Sequence, residues 1–115
     1  MRRWDIYLYP FVHERPHPVV ILSVDELCEN PAIEFLNGLL CASVRLDRPP
    51  KRRETVLDEA DGLDWKTGVR CDFIYTLNKA QLQQRRGRVS EIRQIELLRK
   101  IRFCFRCPPV VSSGE

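Results

Sequence analysis

Only one stretch of this chain carries a sustained helical period, and it comes near the end. Ile92, Ile95, Leu98 and Ile101 recur at spacings of three behind Ser90, a residue type that caps helix N-termini, with Glu91 in the first turn. Everything before it reads as short runs of β-branched and aromatic residues: 4–9 (WDIYLY), 18–23 (PVVILS), 35–45 (FLNGLLCASVR), 55–57 (TVL) and 69–76 (VRCDFIYT). Between them lie a Pro- and His-bearing loop, a brief helical turn over 24–30 closed by Pro31, the loop DRPPKRR and the turn DGLD. Gly38, inside a strand pattern, is expected to mark a bulge. Short strands followed by one amphipathic helix predict a mainly β fold. The expected form is a small antiparallel barrel or half-open sheet with the helix laying its apolar stripe over one face.

The 115 residues suit a single domain, and with 43% hydrophobic and 30% charged residues they can build a core. The expected division is one domain over 1–107 and a flexible tail over 108–115, because Pro108-Pro109 stops any helix and VVSSGE is too polar to pack. No apolar run approaches the roughly 18 residues that cross a bilayer, and MRRWD does not lead into a signal peptide's hydrophobic region. A cytoplasmic protein with no membrane partner is expected. Five cysteines, an odd number, then stay reduced. Cys104 and Cys107 form a CxxC without the second ligand pair of a structural zinc site, so neither metal nor cofactor is expected.

The net charge of +3 is unevenly spread. Residues 45–53 hold five basic residues against Asp47, and 85–106 hold eight against Glu91 and Glu96. Such runs are either solvated faces or phosphate-binding surfaces. Pro49-Pro50 cannot join a ladder, which predicts that Arg48, Lys51, Arg52 and Arg53 ride on a mobile flap. Glycine-rich phosphate loops, HExxH and GxSxG are all missing, which removes the commonest motif-bearing enzymes. Arg70 and Asp72, two apart on a strand, share a face with Cα atoms roughly 7 Å apart. They form either a phosphate clamp with an adjacent base or a simple surface ion pair. His13 and His17 are either proton-transfer groups or ordinary polar loop residues. Ser43 has no local base to make it a nucleophile, but its hydroxyl could bond a substrate.

The segment Lys66-Thr67-Gly68-Val69-Arg70-Cys71-Asp72, followed by Thr76-Leu77 and Gly87-Arg88-Val89, resembles the second half of the Kid/PemK and MazF toxin family. Asp5-Ile6-Tyr7-Leu8, His13-Glu14 and Pro18-Val19-Val20-Ile21-Leu22-Ser23 are similar to its first half, so the resemblance spans residues 3–103. It implies an SH3-like barrel that dimerises, cuts single-stranded RNA without metal and is neutralised by a cognate antitoxin. By that resemblance Arg70, Asp72 and His13 form the acid/base set. Asp72 would be the base and Arg70 the stabiliser of the phosphorane, with the proton donated either by Arg70 or, as arginine's ordinary value above about 12 favours, by His13 or His17. The family's polar pair falls on Ala42 and Ser43, and its threonine on Thr67. With His17, these residues and the loop bearing Arg48, Lys51, Arg52 and Arg53 would hold RNA. The chain departs from the family in a shorter first loop without glycine, in His17 where an arginine is usual, and in Ala42, which lacks a hydroxyl. Two alternatives share the architecture. One is a non-enzymatic gyrase poison of the CcdB kind, whose Trp-Gly ending is absent here; the other is a catalytically degenerate barrel that only binds nucleic acid or protein.

Overall fold

Seven strands and two helices are present in the computed structural model, which describes residues 1–11, 15–43 and 49–106. The strands are β1 (Asp5–Tyr9), β2 (His17–Ile21), β3 (Phe35–Ser43), β4 (Glu54–Leu57), β5 (Thr67–Arg70), β6 (Tyr75–Asn78) and β7 (Arg85–Arg88). A short helix α1 (Asp25–Glu29) follows β2, and α2 (Glu91–Phe105) follows β7. All pairings are antiparallel, in the order β4-β5-β3-β2-β1-β7, with β6 also pairing β3. A curled antiparallel sheet with a C-terminal helix is the architecture the strand pattern predicts.

The continuous apolar run Val19–Ile21 of β2 is buried on both faces, whereas β3 is covered on both faces only in its middle and exposes Phe35, Asn37 and Ala42. Ile6, Val20, Leu39, Cys41, Leu57 and Val69 point into the barrel, where Leu97 of α2 closes the core. Val19, Ile21, Leu36 and Leu77 form a second cluster on the opposite face, covered by Cys28 of α1. Gly38 is not a bulge. It pairs regularly with Ile21 on one side and Tyr75 on the other, and a Cβ there would lie 2.6 Å from Leu77 Cδ1 and 2.7 Å from the Val20 carbonyl oxygen. The crowding of neighbouring strands selects the glycine.

Three other expectations are corrected. The run 69–76 is not one strand but two, β5 and β6, lying along β3 and separated by the bend 71–74. The stripe Ile92, Ile95 and Leu98 does not cover the barrel: Ile92 and Ile95 are 83% and 56% exposed, while Leu97, Ile101 and Cys104 pack on the core. A stripe at strict spacings of three drifts around a helix of 3.6 residues per turn, and the packed face follows 97, 101 and 104 instead. Ser90 stands at the helix N-cap, yet its side chain makes no capping bond; its N–H donates to the buried Asp61 carboxylate at 2.9 Å. Strand β7, with the sequence RRGR, is hidden in the sequence by its charge. It pairs with β1, where Asp5, only 4% exposed, meets Arg88 at 3.2 Å and Arg85 at 3.4 Å. The predicted tail 108–115 lies outside the described residues.

Candidate active site

Strand β5 opposes β3 at Cys41↔Val69, and β6 opposes it at Gly38↔Tyr75, so three steps along β3 face six along the partner. The three extra residues are taken up in the bend 71–74. Cys71 stays buried and its N–H donates to the Arg53 carbonyl at 2.8 Å, which throws Asp72 outward beside Arg70. Arg70 Nε and Nη2 donate to Asp72 Oδ1 and Oδ2 at 3.0 and 2.8 Å, and Arg53 Nε lies 3.4 Å from the same carboxylate. Two hydrogen bonds in parallel fix the guanidinium plane. Asp72 takes only two of the five Arg70 N–H donors, and the side chain is half exposed, so the remaining edge of the fork reaches solvent.

The Arg70 guanidinium holds the Asp72 carboxyl below the usual carboxylate range, and Asp72 in turn raises Arg70 above the ordinary arginine value. Arg70 therefore supplies charge and hydrogen bonds, not a proton. Asp72 is ionised at neutrality; its low basicity makes holding Arg70 its larger contribution.

A cleft of about 250 Å³ lies at the barrel mouth, lined by His17, Pro18, Cys41, Ala42, Trp65, Lys66 and Thr67. Here the sequence-predicted His17 and Thr67 meet at Ala42. Thr67 is only 2% exposed and its hydroxyl donates to the Ala42 carbonyl at 2.8 Å, so its side chain ties β5 to β3. Ser43 pairs with Thr67 across the same strands. Sequence reasoning missed Trp65 and Lys66, which sit between the DGLD turn and the strand and carry no periodic signal of their own. Arg86 stacks over the Trp65 ring at 5.0 Å. His13 and Arg48 lie outside the described residues.

Lys51, Arg52 and Arg53 do not form a free arm. Lys51 and Glu54 close a turn through mutual backbone and side-chain hydrogen bonds of 2.8 and 3.1 Å, and Arg52 stacks 3.8 Å over Phe103 of α2. Much of the second basic run is internally paired as well: Arg85 and Arg88 with Asp5, Arg86 with Asp64, Lys100 with Glu96, and Arg93 with Asp58 and Asp61. Five of that run's eight basic residues are thus balanced by carboxylates, while at the 71–74 bend two cations, Arg70 and Arg53, share the single carboxylate of Asp72.

Cys28, Cys41, Cys71 and Cys104 are free thiols, and burial pushes Cys71 up to about 12, so it is inert at neutral pH. Among the described residues, no three His, Cys, Asp or Glu side chains converge as a metal ion would require; Cys107 lies outside them.

The fold defines the class: a small, mainly β, curled antiparallel barrel with a C-terminal helix, carrying an arginine–carboxylate pair on a strand bend. The profile of the family described as "PemK-like, MazF-like toxin of type II toxin-antitoxin system" matches residues 2–105, and the chain belongs to that family. No curated protein sequence is a match. Among solved structures, the fold is similar to an endoribonuclease in complex with its cognate antitoxin from a mycobacterial species. That match has a TM-score of 0.78 and 18% identity over 94% of this chain and 97% of that one. A second similar structure, the Mycobacterium tuberculosis toxin MazF-mt6, has a TM-score of 0.74 and 20% identity over 90% and 98% of the two chains.

Proposed function

We propose that this toxin-family protein is a metal-independent endoribonuclease acting on single-stranded RNA, with Arg70 and Asp72 at its centre. The observation that supports this most is the bidentate Arg70–Asp72 pair, which presents a planar, permanently charged fork to solvent at the edge of a curled sheet. In the reaction the ribose 2′-oxygen forms a bond to the adjacent phosphorus and the bond from phosphorus to the 5′-oxygen breaks. A 2′,3′-cyclic phosphate and a 5′-hydroxyl result. Charge accumulates on the non-bridging oxygens, where the free Arg70 donors are worth most. Asp72 orients that guanidinium and, being ionised, can accept the 2′-hydroxyl proton. A histidine protonates the leaving 5′-oxygen, because an arginine above its ordinary range cannot; His13 takes that role by the family pattern, and His17 lines the cleft. His17, Ser43 and Thr67 would line the RNA path, Thr67 through the backbone it fixes, with Arg48, Lys51, Arg52 and Arg53 supplying charge along it.

The same reading makes a cognate antitoxin the protein partner and a homodimer the working form, in the cytoplasm. No described helix is long and apolar enough to cross a membrane. Val24, Leu27, Ile92 and Ile95 are exposed apolar side chains of the kind a protein partner covers. The deciding experiment incubates purified protein with a mixed-sequence RNA in EDTA and analyses the ends. Cleavage to 2′,3′-cyclic phosphates is expected; intact RNA would overturn the reading and favour a binding-only or gyrase-directed toxin.

A further inference from the structure

Aromatic rings run from the Arg70–Asp72 clamp to His17 across the outer face of the sheet. Phe73, in the bend, lies 4.5 Å from Tyr75 at a tilt of 43°; Tyr75 meets Phe11 edge-on at 5.6 Å; Phe11 meets His17 at 6.0 Å and Tyr9 at 5.2 Å. Tyr9, Phe11 and Tyr75 are half-buried and pack on the second apolar cluster, which accounts for them as structure. The Tyr9 hydroxyl is also occupied, donating to Gln81 and accepting the Asn78 N–H. Phe73 is different. It is 53% exposed, belongs to neither apolar cluster, and is carried by the same bend that delivers Asp72. Among the described residues its one ring contact is with Tyr75.

An exposed ring braced by a second ring beside a half-exposed guanidinium is the arrangement that holds an unpaired base and its phosphate together: the base stacks on the ring and the phosphate meets the fork. Phe73 directly follows Asp72 in the bend, so the row of rings and the clamp are adjacent. A neutral protein surface would gain little from a row that ends in cations at Arg70 and Arg53, whereas a strand of RNA gains from the rings through its bases and from the cations through its phosphates.

We infer that Phe73, backed by Tyr75 and Phe11, is the stacking platform for an unpaired base of the RNA whose phosphate lies at Arg70. This rests on the endoribonuclease reading. It adds a residue that reads substrate by its π-face and so tolerates any base at that position.

The test measures binding of a 2′-O-methyl single-stranded RNA, which lacks the attacking hydroxyl, to the parent protein, Phe73→Ala and Phe73→Trp, with cleavage of ordinary RNA, thermal unfolding and sedimentation run alongside. Phe73→Ala is expected to weaken binding about 5- to 100-fold, the range for removing one base stack, and to raise KM more than it lowers kcat, at an unchanged melting temperature. Phe73→Trp should bind at least as tightly as the parent. Equal binding by parent and Phe73→Ala, in a parent that cleaves RNA, would overturn the platform while leaving the nuclease reading intact. A parent that neither binds nor cuts RNA would overturn both. Conversion of a dimer to a monomer by Phe73→Ala would make the ring part of an interface between copies and would also overturn the proposal.

Discussion

Arg70 and Asp72 meet through two parallel hydrogen bonds of 3.0 and 2.8 Å, across a bend that the regular pairing of β3 does not require. Both side chains are at least partly exposed, and a surface ion pair contributes little to stability. Arg70→Ala and Asp72→Asn are therefore expected to unfold at the parent temperature. For RNA cleavage, Arg70→Ala should lower kcat about 10²- to 10³-fold, the scale set by deleting an oxyanion donor. Arg70→Lys should not restore it, because a lysine cannot donate in a planar fork. Cleavage assays beside calorimetry check this; full activity in Arg70→Ala would dismiss the site.

The two histidines separate by role. His13→Ala is expected to lose more activity than His17→Ala and to remove the alkaline fall of the pH–rate profile that a protonated imidazole acid produces. His17, at the rim of the cleft with Trp65 and Lys66, should act mainly through KM. The reverse order would move proton transfer to His17.

Basic residues of the 48–53 segment should act through affinity. Replacing Arg48 and Lys51 by alanine is expected to flatten the salt dependence of RNA binding, the slope falling by about 0.7 for each phosphate left without its cation. Arg52→Ala additionally takes the guanidinium off the Phe103 ring of α2, so it should lower the melting temperature as well. Titrations at several salt concentrations read the first effect and thermal unfolding the second.

Acid should weaken the fold through Asp58. Hydrogen bonds from Arg93 pull its carboxyl down from the usual range to about 2. A folded-state value below the unfolded one stabilises the protein above the unfolded value near 4, and that contribution is lost as pH falls from about 4 toward 2. Melting temperatures measured from pH 6 to pH 2 should therefore fall less steeply in Arg93→Ala than in the parent, from a lower starting point, since Asp61 is left buried without its cation.

Gly87→Ala is expected to cost about 1–3 kcal/mol, the range for overpacking a filled interior. A Cβ at Gly87 would be driven into the Asp61 carbonyl oxygen, with Leu63 Cδ2 at 3.2 Å behind it. Denaturant unfolding measures the loss; a neutral result would mean that the 59–63 segment yields.

Strands that bury both faces are legible in the sequence because their apolar runs are continuous, and α1 is legible because Pro31 closes it. The position of α2 can be read from its period, but its buried face cannot: Ile92 and Ile95 are more apolar than the Lys100 and Cys104 that turn inward, and no period reveals which side a neighbour will cover. β7 is illegible because pairing with β1 and the buried Asp5 outweigh the poor strand propensity of RRGR. At the site, spacing places Arg70 and Asp72 side by side, but Trp65, Lys66 and Phe73 reach theirs through a turn and a bend, where residue order says little about direction.

The six-against-three mismatch between β3 and its partner has a consequence for how such a protein diversifies. Val69 and Leu77 are fully buried on either side of it and lock the register of both strands. The four residues of the bend are held at their ends, so changes at Asp72, Phe73 or Ile74 leave the pairing of every other strand where it is. A lineage, or a laboratory library, can therefore exchange those positions and reshape what the surface grips without first re-solving the packing problem beneath it.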